Sequence, residues 1–425
     1  MTETRRTRAS DMQTMFWLQQ MRRPEGRTAN IPALVSVTGP FDEERLRAAV
    51  TRVMQRHEVF RTSFAWDGAE LRQIVHARVE APLFRADPVT AADLDERIAA
   101  LNMHRFEHHD VPLFRVTVVP SGPETRLIHA LMHHSIYDLH TQSLFQSEVS
   151  RAYRDGDLDP VPVQYADFAD AELAWKRSPE ATRQREYWRA YTAAIPAISP
   201  ADLAPVPARA LSDDEPPGSS FLDLDATLVE RLRALCAERG WAPFLVLGAA
   251  YQIALADRYH LDDFGVGVPF TNRRNRSLES VAGCCMNILP IRATIAPTDS
   301  LEDVVPRFRR EMLLGHRNQE LSLLEVLTLA GRPVYRFGFT SDAPLELELD
   351  GCACHPVDCV RPGPLALFYH VYEMPAPEVL RIRADYDGVQ LCRAQAEAFN
   401  ARYSSLLDRV LGHPRTSFTG LGIGT

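Results

Sequence analysis

The residues with the clearest capacity for chemistry are His133-His134-Ser135-Ile136-Tyr137-Asp138. A neutral imidazole at pH 7 can take a proton from an attacking amine or alcohol and later hand one to a leaving thiolate. An aspartate four positions on is the right type to fix an imidazole or its loop through a buried ion pair. On spacing alone the same residues also fit a surface turn where two histidines and an acid are adjacent by chance.

A reactive group needs a rigid holder, and Arg126–Met132 immediately upstream reads as a strand that delivers the histidines to a loop. Before it, Ile31–Val37 is β-rich, and Asp42, Glu43 and Glu44 supply first-turn acids for a helix with Leu46, Val50, Val53 and Met54 on one face. Phe60–Phe64 and Leu71–Val75 predict short strands around Asp67-Gly68, and Leu113–Val119 another. After the histidines, Phe145, Val149 and Tyr153 stack at helical spacing with Gly156 as the stop. A long amphipathic helix is expected from about Tyr165 to Trp188, interrupted or bent near Pro179.

With 425 residues the chain exceeds one ordinary core. The expected division is a first lobe over 1–190, a Pro/Ala-rich linker over 191–218 and a second lobe over 219–425. The second lobe starts afresh, with Leu228, Leu232 and Leu235 on a helix ended by Gly240, and Pro243 opening another. Phe264–Phe270 reads as a buried strand and Leu301–His316 as a helix. Ala366–Glu373 and Val379–Tyr386 read as a hairpin, and Phe399, Tyr403, Leu406 and Val410 line a closing helix.

The net charge of -9 argues against nucleic acid, whose phosphates call for a basic face. No apolar run approaches the roughly 18 residues of a membrane span, and residues 1–8 carry no signal-peptide pattern. Seven scattered cysteines fit reduced thiols, and a cytoplasmic protein is expected. Cys352, Cys354, His355 and Cys359 lack the second ligand pair of a structural zinc site, so no metal is expected. His104, His108 and His109 with Asp110 are read as a solvated face, and Asp263-Phe264-Gly265-Val266-Gly267 as strand and turn. Gly-x-Ser-x-Gly and phosphate-loop patterns are absent.

Several segments, in order, resemble the motifs of nonribosomal-peptide condensation domains. Ser10-Asp11-Met12-Gln13 with Phe16-Trp17-Leu18 resembles the first, and Arg56–Phe64, containing Arg61, the second. Met132–Asp138 is similar to the third, HHxxxDG, and Tyr165-Ala166-Asp167-Phe168-Ala169 to the fourth. Gly267-Val268-Pro269, Arg273 and Gly283–Pro290 with Arg292 resemble the fifth and its approach, and Asn318-Gln319-Glu320 more weakly the sixth. The resemblance implies an α/β chain of two chloramphenicol-acetyltransferase-like lobes, two-layer α+β sandwiches arranged as a V-shaped pseudo-dimer around a tunnel. His134 would then be the catalytic histidine, with His133 and Asp138 beside it and Arg273 paired to Asp138. Arg61 would be structural, and Tyr137, Asn287, Ser10 and Gln13 would lie along the substrate tunnel. Leu139 departs from the pattern, which has glycine there so that the backbone can approach the thioester.

The implied function is a free-standing condensation enzyme of nonribosomal peptide or other natural-product (antibiotic) biosynthesis. It would transfer an acyl or aminoacyl group from a carrier-protein phosphopantetheine thioester to an amine or alcohol, forming an amide or ester. No tightly bound cofactor is implied. The partners would be an acyl or peptidyl carrier protein and either a small acceptor or a second carrier, with a monomer expected. Two other readings stand beside it: a condensation-like recruitment module without chemistry, which typically carries a damaged histidine motif, and a CoA-dependent O- or N-acyltransferase.

Overall fold

The computed structural model describes residues 3–22, 27–68, 70–90, 92–199, 203, 217–342, 346–361, 363–375 and 378–424. In chain order the first half runs β1 (Glu3–Arg8), α1 (Asp11–Arg22), β2 (Asn30–Thr38), α2 (Glu43–Arg56), β3 (Thr62–Asp67), β4 (Glu70–His76), β5 (Leu83–Arg85), α3 (Leu94–Asn102), β6 (Phe114–Pro120), β7 (Thr125–His133), α4 (Leu139–Arg154), α5 (Tyr165–Trp175) and α6 (Pro179–Ala193). The second runs β8 (Gly218–Asp223), α7 (Ala226–Arg239), α8 (Pro243–Tyr259), β9 (Asp263–Phe270), β10 (Asn287–Thr294), α9 (Leu301–Arg317), α10 (Leu323–Ala330), β11 (Phe337–Ser341), β12 (Ala353–Val357), β13 (Leu367–Pro375), β14 (Glu378–Tyr386) and α11 (Arg393–Gly412).

Two compact units divide the chain. The first comprises Met1–Pro179, Thr271–Met286 and Ala343–Arg361; the second comprises Glu180–Phe270, Asn287–Asp342 and Pro362–Thr425. Two segments from beyond the expected linker are therefore grouped with the first unit, a chain exchange that hydrophobic periodicity does not reveal. Of the linker itself, residues 200–202 and 204–216 lie outside the described residues.

In the first unit a five-stranded sheet has the order β12-β2-β7-β6-β5, and a three-stranded antiparallel sheet the order β1-β4-β3. β7 is central in its sheet, antiparallel to β2 and β6 on either side. β12 closes one edge against β2, from Ala353 opposite Thr38 to Val357 opposite Leu34. Helices α2 and α4 cover the sheet. Leu46, Val50, Val53 and Met54 share a buried cluster with Phe145, Val149 and Tyr153, and with Val35, Val37, Val116, Val118 and Ile128 of the strands. Burying each such side chain contributes about 1.5–3 kcal/mol, which makes this layer a stiff support for the end of β7.

The second unit carries a six-stranded sheet, β10-β9-β11-β13-β14-β8, in which β11 runs parallel to both neighbours. Gly240 caps α7 in the left-handed conformation, and Pro243 is the first residue of α8. The expected hairpin is present as β13 and β14, with residues 376–377 of its turn outside the described residues. The interruption expected near Pro179 is present: α5 ends at Trp175 and Pro179 starts α6, where its missing N–H costs nothing. One expectation shifts. Glu58–Arg61 winds as a 3₁₀ turn before β3, so the strand begins at Thr62 and not Phe60. Among the described residues no helix is long and apolar enough to cross a membrane.

Candidate active site

β7 ends at His133, and the residues that lead into both neighbouring strands grip that end. His133 N–H donates to the Leu113 carbonyl (3.0 Å) and His134 N–H to the Ala29 carbonyl (2.7 Å). One 3₁₀ turn, His134–Ile136, follows, and Asp138 then caps α4 by accepting from Thr141 N–H at 2.8 Å. A strand end and a helix start thus fix the whole motif within six residues.

The two imidazoles are oriented differently. His133 is fully buried; its Nδ1 accepts from Ser135 N–H (3.2 Å), so Nε2 carries the proton and donates to Gln20 Oε1 (3.1 Å). Both ring nitrogens are spent, and burial pushes its pKa down to about 3. His134 Nδ1 lies 2.7 Å from the Tyr137 carbonyl oxygen, which can only accept. The proton is therefore on Nδ1, and the Nε2 lone pair is left for other work. Burial lowers the His134 pKa, with the Asp138 charge opposing, so the ring is a neutral base at pH 7.

Successive aromatic residues of α1 cover the two rings. Phe16 stacks on His134 (centroids 4.4 Å, planes 15° apart) and Trp17 on His133 (4.2 Å, 14°). α1 is held in turn by a capping box in which Ser10 Oγ accepts from Gln13 N–H and Gln13 Oε1 accepts from Ser10 N–H. Ser10 and Gln13, expected along a tunnel, are buried and engaged in this cap; Ser10 Oγ also meets Tyr165 Oη at 2.8 Å.

Asp138 never touches an imidazole nitrogen among its described contacts. Its oxygens accept from Arg273 Nη1 (2.7 Å) and Nη2 (3.2 Å), Thr141 Oγ1 (2.7 Å), Cys285 N–H (3.0 Å) and Met286 N–H (3.2 Å). Burial would raise its pKa, but Arg273 and the hydrogen bonds win and hold it below the usual carboxylate range. Arg273 Nη2 also donates to the carbonyls of Val281 and Gly283. The pair therefore ties residues 271–286 to the start of α4, and the expected Asp138–Arg273 contact is a bidentate buried ion pair.

Gly283 has φ +139°, and a Cβ there would fall 2.0 Å from a Tyr165 ring carbon. Tyr165 Oη donates to the Cys284 carbonyl at 2.8 Å and so presses this segment against the histidine loop. Cys284 Sγ comes within 3.7 Å of His134 Nδ1. Burial raises the Tyr137 pKa and lowers that of His134; the Arg361 charge opposes the first effect and adds to the second. Of the other expected positions, Tyr137 is buried and supplies the carbonyl that holds His134. Leu139 is the half-buried first residue of α4, and Arg61 donates to the His76 carbonyl (2.5 Å). Asn287 belongs to the second unit, its side chain bonded to the backbone of Gln319, Leu321 and Leu323. Phe16 and Cys284 were read only as parts of motif segments, and Thr141 and Arg361 were not singled out; the contacts of Phe16 and Cys284 with His134 join residues far apart in the chain. Among the described residues no cluster could hold a metal ion.

A family model described as the condensation domain matches residues 4–331. Tyrocidine synthase 3 of Brevibacillus parabrevis is 30% identical over 413 residues, which is 94% of this chain and 6% of that protein. The chain thus spans a small fraction of the length of this curated relative. Two solved structures share the fold. The condensation domain from the monacolin K polyketide synthase MokA superposes with a TM-score of 0.86 at 20% identity, covering 98% of this chain and 100% of that one. The X-domain in complex with OxyB from teicoplanin biosynthesis gives 0.82 at 22% identity, covering 100% and 97%.

Proposed function

The chain belongs to the condensation-domain family, and from that premise we propose that it transfers an acyl or aminoacyl group from a carrier-protein phosphopantetheine thioester to an amine or alcohol, with His134 as the proton acceptor. The observation that supports this most is the His134 tautomer: Nδ1–H is held by the Tyr137 carbonyl, so Nε2 presents a lone pair. The acceptor's nitrogen or oxygen attacks the thioester carbonyl as its proton passes to Nε2. Collapse of the tetrahedral adduct breaks the C–S bond, and the imidazolium returns the proton to the departing thiolate. An amide or ester and a free phosphopantetheine thiol result, with the ring restored. Such positioned acid–base assistance is worth about 10²–10⁴-fold in rate. Asp138 and Arg273 take no proton in this scheme; they fix the loop from which His134 projects.

A recruitment module is the second reading, favoured by the likeness to the X-domain found in complex with OxyB. The oriented and neutral His134 weighs against it, because a platform without chemistry has no use for a lone pair held free. The test presents the purified chain with one acyl group loaded on a carrier protein or on CoA, together with a panel of amines and alcohols. Product from the carrier-bound donor supports the proposal. Product from CoA alone transfers the assignment to a CoA-dependent acyltransferase, and capture of the carrier without turnover supports the recruitment reading.

A further inference from the structure

Helix α1 does more than pack under the histidine loop, because two consecutive side chains on it stack on two consecutive imidazoles. The two stacks cannot have the same effect. His133 has both nitrogens hydrogen-bonded and stays neutral far below pH 7, so Trp17 lies against a ring that does not change charge. His134 is the ring that gains a proton during transfer. An imidazolium facing an aromatic π cloud is stabilised by the ring quadrupole, and the effect grows when water is excluded. The stack also complements the Nδ1–H bond to Tyr137: the hydrogen bond fixes one edge of the ring and Phe16 one face, so the ring cannot rotate without losing one of them.

We propose that Phe16 is a positioning residue for the transfer reaction, holding the His134 ring plane and stabilising its protonated form by face-to-face stacking. This rests on the reading of His134 as the proton acceptor. Other groups acting on the ring are Asp138 from the cap of α4, His133 from β7, Cys284 from the 271–286 segment and Arg361 from the 343–361 segment. Asp138 favours the imidazolium, while burial and Arg361 oppose it. α1 contributes the uncharged Phe16 face, whose removal leaves the opposing influences in place.

The test compares wild type, Phe16→Leu and Phe16→Tyr as full chains carrying ¹³C-labelled histidine, with the His134 resonance identified by its loss in His134→Ala. Phe16→Leu should move the His134 titration midpoint down by about half a unit to one unit. It should also lower kcat several-fold with KM little changed, and Phe16→Tyr, which keeps the π face, should restore both. An unchanged midpoint in a folded Phe16→Leu protein would overturn the proposal. So would a Phe16→Tyr protein that titrates like Phe16→Leu, a comparison that holds even if the leucine variant is less stable. Full turnover by His134→Ala is a separate result, which sinks the proton-acceptor reading itself, whereas a silent His134→Ala with an unmoved midpoint in Phe16→Leu sinks only the role of Phe16.

Discussion

Each unit sets a half-buried histidine near aspartate and arginine, and the two sets are wired in opposite ways. In the first, Asp138 is taken by Arg273, Thr141 and two backbone N–H groups, and His134 bonds to a carbonyl through Nδ1 alone. In the second, His370 meets Asp342 through Nδ1 (3.1 Å) and Asp385 through Nε2 (3.2 Å), and Arg383 bonds to both carboxylates. Both ring nitrogens of His370 thus face carboxylates, and neither is left open. The same residue types therefore knot together around His370, whereas His134 Nε2 has no hydrogen-bond partner among the described residues.

The comparison is broken most directly by deleting each imidazole. His134→Ala should reduce product formation from a loaded carrier by about 10²–10⁴-fold while leaving the thermal midpoint close to that of wild type. His370→Ala should do the reverse: it takes a ring nitrogen away from both Asp342 and the buried Asp385, so the midpoint falls while turnover per folded molecule persists. Near-normal turnover by folded His134→Ala would remove the distinction between the two sets.

The ion pair of the first set gives the next largest effect. Arg273→Ala should cost about 3–5 kcal/mol of stability, because it strands a buried carboxylate. Asp138→Ala should cost at least as much, since Thr141, Cys285 and Met286 lose their acceptor along with Arg273. The double variant should be less damaged than the sum of the two. Strict additivity in urea melts of the four proteins would mean that the pair does not act as one unit.

How far this site could be read from sequence follows from which contacts are local. The loop from His133 to Asp138 and the strand before it were legible, because β-branched and apolar residues followed by a polar break mark a strand end. The pairing of Arg273 with Asp138 came only through the family resemblance, as nothing in the intervening residues indicates that they meet. Phe16 on His134 and Tyr165 on Gly283 were not readable, since stacking between remote rings leaves no periodicity. Ser10 and Gln13 illustrate the converse. Their Ser-x-x-Gln spacing is a capping-box signature, and the reciprocal hydrogen bonds of that box are present. Likewise β1 was passed over because a basic, polar edge strand resembles a tail until β4 is found beside it.

Acid should expose a further contrast. His129 and His133 of the first unit are held neutral by burial, their pKa values pushed down to about 4 and about 3. In the unfolded chain both titrate near 6.5, so below that pH the unfolded state binds protons that the folded state refuses. The stability they contribute is complete above about pH 6.5 and is lost as pH falls toward the folded values. Each ring should add a slope approaching roughly 1.4 kcal/mol per pH unit near pH 5, on top of whatever the carboxylates contribute. Urea melts between pH 7 and 5 measure this slope, and His129→Gln should reduce it by about one proton. An unchanged slope would mean that His129 is already charged in the fold.

The smallest effect is expected at Leu139, where the histidine motif departs from its family pattern. The structure makes Leu139 the first residue of α4, half-buried and directly after the Asp138 cap, and its φ is not positive. Nothing in that backbone demands glycine, so the leucine is tolerated by the fold and its consequence is one of volume. Replacing it by glycine should cost at most about 1 kcal/mol of helix stability, less at a first-turn position than in a helix interior. If the side chain faces the donor, removing it admits bulkier α-substituents. A methylene of misfit is worth about 1–3 kcal/mol, so the change should appear as selectivity and not as gain or loss of function. Leu139→Gly should therefore raise turnover of branched acyl donors relative to linear ones by up to about tenfold, with linear donors retaining much of their rate. Competition between isobutyryl and propionyl carriers measures the ratio within one reaction. An unchanged ratio would place the leucine side chain against its own unit, away from the donor. A wild type inert with every carrier, made active by Leu139→Gly, would instead show that this one side chain closes the site, and the free nitrogen of His134 would be the relic of a reaction the chain no longer performs.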